Sequence, residues 1–287
     1  DCIASIHEYT NELIYEIIVV DNHSEDDSEK VILTDFPDTK WVSMSDNSGT
    51  SRGYNAGVKN AQGNYVLILN SDTVVMDNAI KNSLDFHKKK ETKFKVGMTS
   101  CQIKGFDNIV QYNSNPNFPS PNKHLSKHPF FYRLGIKSKK KLNNAQRLEL
   151  HQRNHETSWI GIAFGIINRE IFDIGGHFFD EDIFMYSDEV EWCHRLKKLG
   201  YRHFFTADYT ICHINSGSSV TSEWRYGQIF LSELLFYYKT HGRFIFKLIL
   251  ASIKYFQKKK DLEKDSIEKN VMDQYSKRIL NEYSPKI

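Results

Sequence analysis

Asp72 closes the run Leu67-Ile68-Leu69-Asn70-Ser71-Asp72-Thr73, an apolar stretch that delivers one carboxylate among short polar residues. In an open α/β sheet, ligands are met beyond the carboxyl ends of the strands, so an acid there suits a metal ion or a phosphate. Mg2+ and Mn2+ prefer oxygen donors and are commonly held by one or two carboxylates together with substrate phosphates, which makes Asp72 the first candidate for a divalent-metal ligand. A second apolar run over 15–20 ends in Asp21-Asn22-His23-Ser24. Two strand-end carboxylates with a Gly/Asn-rich segment between them suggest a nucleotide site. The plainer reading is a pair of Asx residues that stop strands by turning the chain. A third feature is the adjacent pair Asp188-Glu189 at a helix start. The helix N-terminus favours ionised carboxylates, whereas their proximity raises one pKa, and the sequence leaves the winner open.

The elements that must position these acids follow from periodicity. Strands are expected at 15–20, 40–44, 65–69 and 95–101, alternating with helices at 27–33, 49–60 and 78–89, as in a parallel sheet. Residues 105 to 157 are rich in Asn, Pro, Lys and His with little periodicity, and an insert of that length inside a compact domain is functional or mobile. Apolar character resumes over 158–168. A short helix is expected at 169–174 and closed by Gly175-Gly176, a longer one at 187–199 with Gly200 as its stop, then a strand near 201–206. The reading divides the chain at 1–104, 105–222 and an amphipathic helical tail at 223–287.

A chain of 287 residues can bury a full core. Four cysteines without Cys-x-x-Cys spacing fit reduced thiols in a cytosolic protein, and neither a signal peptide nor an apolar run of the roughly 20 residues a spanning helix needs is visible. The net charge of +2 hides a basic block: from Lys123 to His155, nine lysines and arginines face one acid, Glu149. Such a block favours anionic partners, or is a solvated loop. In the tail, Ile229, Phe230, Leu234, Tyr237 and Tyr238 repeat at helical spacing, and the apolar run 244–256 ends in Gln257-Lys258-Lys259-Lys260. Apolar faces edged with lysines suit an interfacial membrane helix, and equally packing against the core or a dimer mate.

Taken together and in order, five segments resemble the inverting glycosyltransferases of family 2, which have the GT-A fold and use nucleotide-diphosphate sugars. They are Ile17-Ile18-Val19-Val20-Asp21-Asn22-His23-Ser24; Asn47-Ser48-Gly49 leading into Arg52-Gly53-Tyr54-Asn55-Ala56-Gly57; Leu69-Asn70-Ser71-Asp72; Gly175-Gly176 through Phe184-Met185-Tyr186-Ser187-Asp188-Glu189-Val190-Glu191-Trp192-Cys193; and His213 with Gly217-Ser218-Ser219. The likeness spans roughly residues 1 to 222 and is strongest to rhamnosyltransferase-like members that build bacterial surface polysaccharides. Two departures stand out. Asp1-Cys2-Ile3-Ala4-Ser5-Ile6 looks like the middle of the helix that follows the family's first strand, which helps hold the base, so the resemblance implies a chain truncated at its start. The metal motif is reduced to Asn70-x-Asp72, and the family's Glu-Asp catalytic pair reads Asp188-Glu189.

The resemblance implies an α/β, GT-A fold: a Rossmann-like mixed sheet flanked by helices, with a C-terminal helical appendage. It implies that 1–104 is the nucleotide-sugar half and 105–222 the acceptor and catalytic half. It implies Asp72 and His213 as ligands of a divalent metal, Mg or Mn; Asp21, Asn22, Ser24, Asn47, Gly49, Arg52, Asn55 and Asp72 as nucleotide contacts; and Glu189 as the base with Asp188 beside it. Trp159 and Glu191 belong to the acceptor side, while Trp192 suits the core. The implied donor is a UDP- or dTDP-sugar. The acceptor is a saccharide or a polyprenyl-diphosphate-linked one, reached from the cytoplasm at the inner face of a bacterial plasma membrane. An anionic membrane surface and a homodimer are compatible partners, and nucleic acid is not. A nucleotide-sugar-binding module with impaired catalysis is the alternative. A nucleotidyltransferase would show a Gly-rich phosphate loop near its start, and none is present.

Overall fold

The computed structural model describes residues 1–172, 174, 178–214 and 222–259. In chain order these form α1 (Cys2–Tyr9), β1 (Ile18–Asp21), α2 (Ser28–Asp35), β2 (Lys40–Ser43), α3 (Thr50–Asn60), β3 (Tyr65–Leu69), β4 (Thr73–Val74), α4 (Ala79–Glu91) and β5 (Val96–Lys104). The middle of the chain supplies β6 (Val110–Gln111), β7 (Ser114–Asn115), α5 (Asn122–Leu125), α6 (Pro129–Arg133), α7 (Asn144–Leu150), β8 (His155–Thr157), β9 (Trp159–Ile160) and β10 (Phe164–Asn168). A 3-10 turn at Arg169–Ile171, then α8 (Asp188–Lys198), β11 (Arg202–His213) and α9 (Ser222–Lys259) complete it.

The expected mixed α/β architecture holds, but the parallel reading of the first hundred residues needs correction. β1 and β2 pair in parallel as a separate ribbon. β3 lies instead at the edge of a seven-stranded sheet ordered β3-β10-β5-β11-β4, with β6 on β5 and β8 on β11. There β10 runs antiparallel to β3 and β5, while β5 and β11 run parallel. Nothing in the apolar run of β3 distinguishes a parallel from an antiparallel neighbour, because both bury it.

Both faces of this sheet are covered, so its strands read as continuous apolar runs. Along β10 the side chains alternate: Phe164 and Ile166 join Val75, Cys101, Ile103 and Ile211 in one cluster, while Ile167 joins Met98, Phe179, Trp192 and Leu196 in the other. Trp192 is a fully buried core residue, as expected. The helix at 187–199 closes as anticipated. Gly200 takes φ +87°, its N–H donates to Lys197 O and that of Tyr201 to Leu196 O, each at 3.1 Å. The helix at 169–174 shortens to the 3-10 turn, and the expected stop Gly175-Gly176 lies outside the described residues. The segment 105–157 contains only short elements, which is why it shows no periodicity. One is α7, set by an Asn143/Gln146 capping box.

By compactness the chain divides into two units. The first comprises Asp1–Phe118, Leu142–Phe184 and Asp188–Ser218; the second comprises Pro119–Lys141, Met185–Ser187 and Ser219–Ile287. In the second, α9 breaks at Gly242 (φ 78°), so the two apolar runs of the tail are two helical arms. Leu234, Tyr237, Tyr238, Phe246, Ile249 and Ile253 on these arms are buried, which makes most of the apolar stripe a packed face. Ser252 Oγ donates to His124 O at 2.8 Å, and Lys123 Nζ lies 2.7 Å from Glu233. Burial pushes Glu233 up, yet the His124 ring 3.9 Å away, the charge of Lys123 and hydrogen bonds from Lys123 and Tyr237 hold its pKa at about 2.

Candidate functional site

Antiparallel pairing of β4 with β11 brings the metal candidates together. Asp72 immediately precedes β4, His213 is the last residue of β11, and the register sets His213 opposite Thr73. The Ile214 N–H donates to Asp72 O at 2.9 Å. As a result His213 Nε2 stands 3.0 Å from Asp72 Oδ1, with His213 buried and Asp72 half-buried. The strand expected at 201–206 reaches His213 only because it continues past a register shift between Thr206 and Thr210.

The tautomer of His213 follows from its neighbours. Gln111 Nε2 donates to His213 O at 2.8 Å, and Gln111 Oε1 faces His213 Nδ1 at 2.8 Å. A carbonyl cannot donate, so the amide must place its N–H2 on the backbone oxygen, and the facing Oε1 requires a hydrogen on Nδ1. On Nε2, the neutral ring then presents a lone pair. Asn70 Nδ2 donates to that nitrogen at 3.2 Å, while Asn70 Oδ1 accepts from the Tyr54 hydroxyl at 3.2 Å. An imidazole lone pair and a carboxylate oxygen 3.0 Å apart repel unless a proton or cation lies between them. Two ligands at right angles on an ion binding N and O at about 2.1 Å stand about 3.0 Å apart, so the donor pair fits a divalent ion. Among the described residues no group of three His, Cys, Asp or Glu side chains could hold a metal. Two protein donors would leave most of an ion's coordination positions open to other ligands.

The acidic pair sits at the start of α8, held by the start of α3. Thr50 Oγ1 donates to Asp188 Oδ2 at 2.9 Å, with Ser51 Oγ at 3.5 Å from the same oxygen. Gly49, at φ +85°, lets the backbone come so close that an added Cβ would lie 2.1 Å from Phe184 O. The Thr50 N–H donates to that oxygen at 2.8 Å and Ser51 Oγ to Ile183 O at 2.5 Å. Tyr186 and Ser187 both take positive φ just before Asp188, a strained turn at about 1–3 kcal/mol each. Asp188 is buried and Glu189 half-buried. Burial, the charge of Asp188 and a hydrogen bond with it all raise the Glu189 pKa well above the ordinary value. For Glu189 the neighbour and the burial therefore overcome the helix terminus. Tyr54 ties the parts together: burial and then the charges of Asp188, Glu189 and Asp72 push its hydroxyl pKa up. These three carboxylates thus lie within electrostatic reach of one phenol.

The remaining candidates divide. Asp21 accepts from the Ser24 N–H at 3.0 Å, and Asn22 bonds Asn47 Oδ1 at 2.9 Å and the Ser48 N–H at 3.2 Å, so these residues form one latched turn beyond β1 and β2. Asn55 is engaged otherwise: it donates to Phe179 O and Glu181 Oε1 and accepts from the Phe179 N–H, which makes it a brace for that loop. Arg52 is half-exposed, 3.7 Å from Glu181. Glu191, expected on the acceptor side, is buried, and Arg195 bonds both its oxygens at 3.0 to 3.2 Å while donating to Phe178 O at 2.6 Å. Buried and paired with Arg195, that carboxylate positions the guanidinium that ties the 178 loop to α8. Trp159 is half-buried with its indole N–H on Asn117 O at 3.1 Å. The Gly217-Ser218-Ser219 segment lies outside the described residues. Gln111, Thr50 and Ser51 escaped the sequence reading. Gln111 sits in the segment without periodicity, and no local pattern marks it.

The family described as Glycosyl transferase family 2 matches residues 1–174. No curated protein matches by sequence. Among solved structures, S. aureus TarS superposes with a TM-score of 0.51 at 13% identity, covering 91% of this chain and 41% of that one. The chain thus spans about two fifths of that relative's length. GalNAc-T7 with UDP, GalNAc and Mn2+ gives a TM-score of 0.53 at 15% identity, over 98% of this chain and 54% of the other. The mannosyltransferase PcManGT from Pyrobaculum calidifontis, in complex with GDP-Man and Mn2+, gives 0.53 at 14%, over 97% and 75%. The shared architecture is the GT-A fold.

Proposed function

The chain belongs to glycosyl transferase family 2, and from that premise we propose a metal-dependent transferase that moves a sugar from a nucleotide diphosphate to a saccharide or lipid-linked saccharide, with inversion. One observation carries the reading: the Asp72–His213 pair, 3.0 Å apart, shares the surroundings of Tyr54 with Asp188 and Glu189. Asp72 and His213 would hold a divalent ion, which when bound would supply Lewis-acid stabilisation of the leaving diphosphate. The latch of Asp21, Asn22, Ser24 and Asn47 takes the base or ribose, and Trp159 offers a ring to the acceptor sugar.

In the transfer, the acceptor oxygen forms its bond to the anomeric carbon from the face opposite the breaking bond to the diphosphate. Glu189 accepts the hydroxyl proton as this happens. A raised pKa brings this carboxyl nearer the operating pH, where a general base works best. Asp188, fixed by Thr50, orients it. With no covalent intermediate the configuration inverts. A rhamnosyl donor and a surface-polysaccharide acceptor are the finer form of the proposal, supported by sequence likeness alone. The test is a donor screen with UDP-, dTDP- and GDP-sugars plus Mn2+, scored by released nucleoside diphosphate and product anomer. Asp72→Ala and Glu189→Gln are expected to lose most of this release; near-normal rates in both would overturn the assignment.

A further inference from the structure

We infer that the segment running from α6 to Lys141 is a membrane-docking surface for bilayers containing anionic lipid. The inference goes beyond the transfer reading and does not depend on it. Within five residues, Phe130, Tyr132 and Leu134 are 59%, 58% and 64% exposed, more than all but a few of the large apolar side chains among the described residues. They are not a frayed end. Pro129 opens α6, the His128 side chain accepts from the Phe130 N–H, and Phe131 turns inward to half-burial. The His128 ring lies 4.3 Å from that of Tyr255, and the Lys127 ammonium lies 4.7 Å from the Phe256 ring centre, which fixes the base of α6 on the second arm of α9.

Among the described residues, the charges next to this ridge in sequence and beside Tyr255 are positive. Arg133, Lys137, Lys139, Lys140 and Lys141 are all exposed, as are Lys254 and Lys258 on either side of Tyr255. No acid occurs between Lys123 and Arg147 in sequence. A soluble polyanion would satisfy the lysines and leave the three apolar side chains in water. A second copy of the chain would present the same positive charge and be repelled. A bilayer with anionic headgroups uses both, taking the apolar side chains at the acyl boundary and the lysines at the phosphate level. The tail helix, the other candidate, has most of its apolar stripe already packed.

The test is co-sedimentation of the full chain with phosphatidylcholine vesicles, with and without phosphatidylglycerol, at low and high salt. Binding is expected only with the anionic lipid and is weakened by salt. Each lysine near an anionic surface contributes about fivefold to partitioning, so Lys139→Gln with Lys140→Gln is expected to lower it about 25-fold. Phe130→Ser with Tyr132→Ser and Leu134→Ser is expected to lower it on the order of tenfold or more, with an unchanged thermal melt. Equal sedimentation with neutral vesicles, no sedimentation at all, or apolar variants that bind like wild type would overturn the inference. That last result, paired with lysine-dependent binding to heparin, would mark a polyanion site. Concentration-dependent dimers that Phe130→Ser dissolves would mark a self-interface instead.

Discussion

Replacing Gln111 by Ala removes no metal ligand, yet it is expected to weaken Mn2+ binding. In the wild type, Gln111 makes two 2.8 Å contacts to His213, one through each end of its amide. Without it the hydrogen on Nδ1 loses its acceptor. The alternative tautomer carries its hydrogen on Nε2, where Asp72 Oδ1 waits 3.0 Å away to accept it. The carboxylate that should share the metal would then lock the ring in the form that cannot bind it. Loss of such a supporting contact typically lowers metal affinity about 10- to 100-fold, or about 1.4 to 2.7 kcal/mol. Mn2+ titration by electron paramagnetic resonance measures the affinity, and long-range 1H–15N correlation at His213 reports which nitrogen carries the hydrogen. Gln111→Glu keeps an acceptor for Nδ1–H and is expected to keep the wild-type tautomer. Wild-type affinity in Gln111→Ala, together with an unchanged tautomer, would refute the reasoning. Unchanged Mn2+ binding in both Asp72→Ala and His213→Ala would instead dismiss the metal assignment itself.

Three further outcomes are expected. Because burial and Asp188 raise the Glu189 pKa, the folded chain retains a proton that the unfolded chain releases, so stability falls as pH rises above the ordinary value of 4.5. Glu189→Gln should therefore unfold at higher urea than wild type at neutral pH but not at acid pH, while turnover drops about 10²- to 10⁴-fold. Buried His203 is held neutral, its pKa lowered from 6.5 to about 4 mainly by burial, and His87 shifts in the same direction. The unfolded chain thus binds more protons between those values, and stability should decline as pH falls through that window by up to about 1.4 kcal/mol per pH unit per histidine; pH-independent urea midpoints would contradict this. Gly49→Ala forces a side chain into a glycine-only conformation, a penalty of about 1–3 kcal/mol before its clash with Phe184 O; calorimetry should show a marked fall in Tm.

Several parts of the fold were legible because they are local. The strand at 65–69, the helix ended by Gly200 and the core place of Trp192 follow from periodicity, capping chemistry and side-chain type. The residues themselves also offered a strand-end acid and an adjacent acidic pair, while the histidine after an apolar run was singled out by the family resemblance. The parallel reading of β3 failed because an apolar strand carries no mark of its neighbour's direction. Glu191 was read as facing an acceptor because an acid on a helix looks alike whether solvent or Arg195 meets it. Asn55 likewise looked like a nucleotide contact until the backbone of Phe179 claimed its amide.

Side-chain type and order supplied Asp72 and the 188–189 pair as candidates, and the family resemblance supplied His213, since those properties are written in the covalent chain. Tertiary structure decided which partners they meet: the β4–β11 register that sets an imidazole 3.0 Å from a carboxylate, and the Gln111 clamp that selects its tautomer. Such contacts join residues about 100 or more positions apart, and no local energy term records them.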